Sequence, residues 1–399
     1  MKPIASPVGN VRARRAKATY FERLRADKAA YQAKKARIAE HVISPLEQLF
    51  PGLKNDVEAV DELLGNRLKN PTEGGMMKEV ELAPVDVAII GAGMAGLSAA
   101  VYARLSGLSV RVFEKHFLPG GLCTAWKRSG YVFDYCIDYF VGTRKGHGFY
   151  DLWKELGILE KTVFRHIDSY GRFVGSDGRV FDFYTDHRRL REHMLSIAPD
   201  DAIKIAELCE GIRKAGRMLM SEFSLSLRNL PRFFRSLSAL PTIMKWSGVS
   251  VGEWCSGLKD PLLREAIPSL LGSADIPISG PMMMLGLMAA DFAGYPLGAS
   301  LPIAMEVESR AKSLGADFAY RSGVKRVVVE DGRAIGVELE DGRVQRARFV
   351  IAACDARTTF DRLLEGRVKA PSYESMFEEG KVFPCIVQVS LGLKIDPEW

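Results

Sequence analysis

Hydrophobic positions along the chain fall into short runs, and the densest order lies at Val85–Glu114. Val85 to Ile90 is a brief apolar run rich in β-branched residues, the pattern of a buried strand. From Leu97 to Leu108 the apolar positions recur at helical spacing, and Gly107 supplies a helix-ending residue. Val110 to Phe113 reads as a second strand, closed by Glu114. Upstream, Thr19 to Phe50 carries a helical pattern that Pro51-Gly52 breaks, and Val57 to Val60 is a strand candidate. Downstream, Tyr131 to Asp134 alternates like a strand. Between His166 and Asp182 two strands are expected around the turn Ser176-Asp-Gly178. Pro199 to Ser221 reads as a helix. Leu225 to Leu240 and Pro241 to Trp246 mix Arg228, Arg232, Arg235 and Lys245 with Phe233, Phe234, Ile243 and Trp246. The most apolar stretch runs from Pro281 to Tyr295, with three consecutive methionines ending at Met284.

Composition narrows the classes. A chain of 399 residues with 47% hydrophobic and 26% charged residues has room for one large or two ordinary domains. A net charge of +6 is modest, and no nucleic-acid-binding motif accompanies it, so no nucleic-acid partner is expected. The six cysteines are scattered without a C-x-x-C pair, which speaks against structural zinc and for a reducing compartment. No apolar run has the length of a membrane span, so a cytoplasmic location is expected. Residues 1–18 read as a disordered basic tail, and 66–83 as a linker.

Chemistry enters at the glycines. Gly91, Gly93 and Gly96 stand at G-x-G-x-x-G spacing, with Ala92, Met94 and Ala95 between them. The first glycine permits a tight turn, the second lets a pyrophosphate approach the backbone, and the third lets helix and strand pack closely. The helix begins at that turn, so its orphan N–H groups and dipole face a bound anion. Glu114 ends the second strand, where a carboxylate holds the hydroxyls of an adenosine ribose and disfavours NADP. Lys115 softens that preference. Strand, turn, helix, strand and acid in order predict a dinucleotide site. A second glycine pair, Gly120-Gly121 before Leu122, Cys123 and Thr124, is read either as backbone beside the same cofactor or as a plain turn. No nucleophile–base pair and no histidine metal pair stands out, so no catalytic residue and no metal site is assigned. His147, between Gly146 and Gly148, reads as a loop residue near substrate or as a plain flexible loop residue. Asp134, Asp138 and Asp291 are candidates for acid–base work or structural acids. The basic stretch at 225–246 reads as a helical lid, as a surface for an anionic membrane, or as both. The methionine-rich stretch reads as a core helix or as the lining of a lipophilic tunnel.

Gly91 to Gly96, Glu114 and the run Pro119 to Trp126 resemble the FAD-binding start of the phytoene desaturase and carotenoid isomerase-like flavoproteins. Gly130 to Asp134, Asp151 to Gly157, Gly294 to Ser300, Gly323 to Val337 and Val350 to Asp355 extend the resemblance, with Ala299 in place of a glycine. The resemblance implies FAD held by Gly91, Ala92, Gly93, Met94, Ala95, Gly96, Glu114, Lys115, Gly120, Gly121, Leu122, Cys123, Thr124, Val324 and Asp355. It implies an α/β fold: a Rossmann-like, glutathione-reductase-like FAD domain from 84–150 and 295–365, with an α+β substrate domain inserted at 151–294. A helical extension at 19–83 would precede it, and 366–399 would return to the substrate domain. The implied activity is FAD-dependent oxidation, reduction or isomerisation at C=C bonds of a lipophilic isoprenoid or polyene, with peripheral membrane contact. An amine-oxidase-like flavoenzyme and a non-catalytic remnant are the rivals. Two departures accompany the likeness. The chain runs to Trp399 without the family's last glycine-rich motif, and Tyr31 to Asp61 resembles a stretch that the family carries late. Either a rearranged order or a fragment joined to the tail of a neighbouring copy is therefore expected, and the rearranged order requires 19–66 to pack beside 385–399.

Overall fold

The structure, a computed structural model, describes residues 81–137, 139–218, 240–368, 371–379 and 388–394, the backbone of 57–63, and positions 33, 36, 37, 40, 43 and 44. The basic tail, most of the 19–50 helix, the linker up to 80, Asp138, and Arg228, Arg232 and Arg235 of the basic stretch lie outside the described residues.

The strands are β1 (Val57–Leu63), β2 (Glu81–Ile90), β3 (Val110–Phe113), β4 (Ala125–Arg128), β5 (Tyr131–Asp134), β6 (Phe140–Val141), β7 (Phe164–Arg165), β8 (Ser169–Val174), β9 (Val180–Tyr184), β10 (Ala293–Pro296), β11 (Asp317–Ala319), β12 (Val324–Glu330), β13 (Arg333–Leu339), β14 (Val344–Ala352) and β15 (Gln388–Leu393). Four helices matter below: α1 (Met94–Leu105), α2 (Ala202–Met218), α3 (Ser279–Ala289) and α4 (Ser300–Ser313). The chain divides into two compact units, one of 72–125 with 134–369, the other of 1–71, 126–133 and 370–399.

The larger unit is built on a six-stranded sheet in the order β11-β3-β2-β14-β13-β12. The pairs β11/β3, β3/β2 and β2/β14 are parallel, and β14/β13 and β13/β12 are antiparallel. Strand β2 is apolar at consecutive positions because both faces are covered. Val87 and Ile89 join Leu97, Val101, Ile303 and Val307 on one face, while Ala88 and Ile90 join Phe113, Val327, Val337 and Leu339 on the other. Ser109 fixes the entry of β3: its hydroxyl donates to Asp86 Oδ2 at 2.7 Å and its N–H to the same oxygen at 2.9 Å.

A separate hydrophobic core lies within 181–293 of the same unit. It joins the β8–β9 hairpin, whose turn falls at the expected Ser176–Gly178, to the helix His187–Ile197 and to α2 and α3. The apolar stretch after Pro281 is helix α3 up to Ala289, then turns at Asp291 (φ 57°) into β10. Helix α3 lies so close to α2 that a Cβ on Gly286 would stand 2.5 Å from the Gly216 nitrogen and 2.7 Å from the Ile212 carbonyl oxygen. Small residues at the crossing make that approach sterically available.

In the smaller unit, β1 pairs antiparallel with β15, with Val60 opposite Leu391 and Leu63 opposite Gln388. This is the pairing that the expected rearrangement requires of the segment before residue 66. Within the same unit Gly392 lies under the Tyr131 ring, where a Cβ would come within 2.7 Å of ring carbons.

Candidate functional site

The glycine turn follows β2 directly. Gly91 has φ 101°, and its N–H donates to the Phe113 carbonyl at 2.8 Å. A Cβ there would stand 2.8 Å from the Ala353 carbonyl oxygen, so both dihedral and space require glycine. A Cβ on Gly96 would collide with the Gly91 carbonyl, which fixes the third glycine for packing. Gly93 differs: its φ is −68°, and nothing lies within 4 Å of where its Cβ would be. That opening sits at the N-cap of α1, which no side chain caps and whose first turn has no acidic residue. The helix starts at Met94, three residues before the periodicity places it, because the glycines are part of its first turn. Orphan N–H groups and the positive end of the dipole thus face an open space, the requirement for binding a pyrophosphate.

Glu114 is 9% exposed at the end of β3. Its Oε2 accepts the Ala92 N–H at 2.8 Å and its Oε1 the His116 N–H at 2.8 Å. These bonds fix the carboxylate beside the glycine turn, and each oxygen keeps acceptor capacity for a hydroxyl. Lys115 is exposed beside it. The second glycine pair belongs to the same place. Gly120 (φ 109°) donates its N–H to the Ala92 carbonyl at 2.8 Å, and Gly93 and Gly120 form a parallel bridge. A Cβ on Gly121 (φ 62°) would stand 3.2 Å from the Gly93 Cα. The two turns therefore stack, with Leu122 (66% exposed) at the tip of the second.

Two distant segments close the group. Ser322 donates its N–H to the Glu114 carbonyl at 2.9 Å, which brings the start of β12 and buried Val324 alongside. Ala353 donates its N–H to the Ile90 carbonyl at 2.9 Å, and Asp355 follows on an exposed turn, where its Oδ1 accepts the Thr358 N–H at 2.8 Å. Every residue from Gly91 to Gly96, with Glu114, Gly120, Gly121, Val324 and Asp355, thus lies near the carboxyl end of β2. The arrangement fits a dinucleotide: an open anion seat at Gly93, a fixed acid, and glycines where side chains would intrude.

The three candidate acids part company. Asp134 Oδ1 accepts the Ser300 N–H at 3.0 Å at the start of α4, and buried Ser300 accepts the Ile137 N–H at 3.2 Å through Oγ. Asp291 pairs with Arg144 at 3.0 Å on the surface. Asp138 lies outside the described residues. His147 stands on a loop, as expected, but is only 6% exposed. Its ring packs on Phe149 and Phe292, and Nδ1 accepts the Phe149 N–H at 3.1 Å. Burial lowers its pKa, so the neutral ring is favoured. Nearby, Thr143 Oγ1 stands 3.1 Å from His166 Nε2. Sequence reasoning missed this cluster, because two histidines 19 residues apart share no local spacing signal. A cleft of about 400 Å³ is lined by Tyr139, Tyr170, Leu271, Ile276, Met283 and Met284, so part of the methionine run faces open space. Among the described residues no group of three or more His, Cys, Asp or Glu is placed to hold a metal ion.

A family model described as an NAD(P)-binding Rossmann-like domain matches residues 89–156. Prolycopene isomerase 1 of an Oncidium hybrid cultivar is 27% identical over 351 residues, 81% of this chain and 57% of its own length. The neurosporene-forming phytoene desaturase of Cereibacter sphaeroides is 25% identical over 284 residues, 69% of this chain and 54% of its own length. The chain thus spans little more than half the length of these curated relatives. Among solved structures, an oxidoreductase from Methanosarcina mazei superposes with a TM-score of 0.51 at 20% identity, covering 73% of this chain and 64% of that one. That likeness concerns the fold alone. The glycine turns, the fixed acid and the match along most of its length make this chain similar to the prolycopene isomerases and phytoene desaturases, on a Rossmann-like dinucleotide-binding domain.

Proposed function

We propose that the chain is an FAD-dependent oxidoreductase acting on carbon–carbon double bonds of a lipophilic isoprenoid or polyene. The observation that carries this reading is the stacking of Gly120-Gly121 on the open turn at Gly93, beside Glu114. The names of the relatives, which mention prolycopene and phytoene, supply the substrate class. In this reading Gly93 and the first amides of α1 hold the pyrophosphate, Glu114 holds the ribose, and Leu122 to Thr124, Val324 and Asp355 line the rest. The segment 151–294 serves as an inserted substrate domain, with its apolar cleft excluding water from the substrate. When bound, FAD supplies hydride transfer at N5. The residues of this chain position the two partners, and the reading assigns none of them as a nucleophile.

The test is the visible spectrum of the purified protein before and after denaturation. Release of flavin at about one per chain supports the reading. Protein that stays colourless after added FAD overturns it in favour of an incomplete site. Among the described residues no helix is long and apolar enough to cross a membrane. Surface contact with a bilayer, through the basic stretch at 225–246, is part of the proposal. Flotation with anionic vesicles at low salt, reversed at high salt, supports that part; absence of flotation removes it.

A further inference from the structure

The cofactor reading uses the backbone of Cys123 and leaves its sulfur without a role. Strands β4 and β5 are joined by Ser129 and Gly130, with φ of 50° and 86°. Two successive left-handed residues define a two-residue type I′ hairpin loop. Such a loop sets Arg128 opposite Tyr131, and therefore Trp126 opposite Phe133. The rings of that last pair stack with centroids 6.5 Å apart, as the register demands. The strands end at Ala125 and Asp134, and Cys123 and Cys136 each stand two residues beyond that end of the hairpin.

Pairs in an antiparallel ladder alternate between hydrogen-bonded and non-hydrogen-bonded types. The turn-flanking pair is of the first type, so a ladder continued as far as Cys123 and Cys136 would place them on the second. A continued regular ladder would hold their Cα atoms about 4.5 Å apart, at the short end of the roughly 4.4–6.8 Å that a disulfide spans. Past Ala125 the chain leaves the ladder and Cys123 donates its N–H to the Gly120 carbonyl at 3.0 Å, so the pair has room to adjust. Proximity shows in the electrostatics as well. Burial pushes the Cys123 thiol up to about 11, and Cys136 is the next cause. Cys136 is exposed, whereas Cys209 and Cys255 are buried in the other core.

We propose that Cys123 and Cys136 form a reversible disulfide that fastens the Gly120–Thr124 turn to the segment anchored at the start of α4. Asp134 and Ile137 make that anchor: they flank Cys136 and both bond Ser300. The oxidant is a small disulfide of the glutathione class. The exposed Cys136 thiolate attacks one of its sulfurs, forming a mixed disulfide and expelling one thiolate. The Cys123 sulfur then attacks the Cys136 sulfur and expels the second. The protons of both cysteines end on the departing thiols, and two cysteines are oxidised as one small disulfide is reduced. Attack begins at Cys136 because it is exposed, whereas Cys123 is half-buried and burial pushes its thiol up.

The experiment treats the whole protein with oxidised and reduced glutathione at several ratios, traps thiols with an alkylating agent, and maps tryptic peptides. Lys127 and Arg128 lie between the two cysteines, so the linked residues fall on separate peptides that part only on reduction. The expected result is one linked pair, Cys123 with Cys136, reversed by dithiothreitol, lost in Cys136→Ser and kept in Cys354→Ser. Amide exchange across Gly120–Thr124 should slow about tenfold on oxidation in the wild type and stay unchanged in Cys136→Ser. A link to any other cysteine, a mixed disulfide that never closes, or unchanged exchange after closure overturns the proposal. These readouts need no flavin, so they stand apart from the fate of the proposed activity.

Discussion

Gly93 and Gly96 lie three positions apart in one motif and do different work. The site of the Gly93 Cβ is open and its φ of −68° suits any residue, so Gly93→Ala should leave stability within about 0.5 kcal/mol while weakening FAD binding. Gly96→Ala drives a methyl into the Gly91 carbonyl and should cost about 2 kcal/mol or more of stability. Urea unfolding and flavin titration of both variants check the split; equal losses of stability would show that the opening at Gly93 is not a ligand seat. His147 carries a pH prediction. Its folded pKa is lowered by burial, and those of His187 and His193 move the same way. Below about pH 6.5 the unfolded chain binds protons that these rings resist, so their stabilising contribution is full above that pH and is lost as pH falls toward their folded values. The urea midpoint should drop between pH 7 and 5, and His147→Gln should flatten part of that drop. A midpoint constant over that range would contradict the assignment.

At the scale of elements, helix α4 begins under strain. Ala299 precedes it with φ 77° and ψ −177°, a region that glycine occupies and alanine does not. The likeness to the family places a glycine here, and the geometry shows why. The turn must lead from β10 into α4 while Ser300 stays buried and bonded to Asp134 and Ile137. Such a conformation costs an L-residue about 1–3 kcal/mol, of which the added backbone freedom of glycine returns less than one. Ala299→Gly is therefore expected to stabilise the protein by about 1 kcal/mol, read from the urea midpoint at constant m-value. A loss of stability would mean that the alanine methyl contributes packing that outweighs the strain.

At the scale of the whole molecule, the segment before residue 64 and the segment after 387 form one two-stranded ribbon. Each is the only strand partner that the described residues give the other. Deletion of residues 1–63 should leave β15 with an unpaired edge, an invitation to self-association. Limited proteolysis should then cut within 388–394, and light scattering should detect species larger than those of the intact chain. Unchanged protection at 388–394 would show that the ribbon contributes nothing to order there.

The local sequence by itself determined the strand–turn–helix–strand unit from β2 to β3. Its signals are periodicity and glycine spacing within about 30 residues, and both are intrinsic to the chain. The β8–β9 hairpin and the helical nature of the methionine run were legible for the same reason. Only the tertiary structure decided that Gly120-Gly121 rests on Gly93, that Glu114 is fixed by the Ala92 amide, and that Ala353 fills the space over Gly91. It also decided that His147 is buried against Phe292 and not exposed on a loop. These contacts join residues from about 20 to 260 positions apart, and no period or spacing connects such positions; their geometry follows from how the sheet twists and where its connections return.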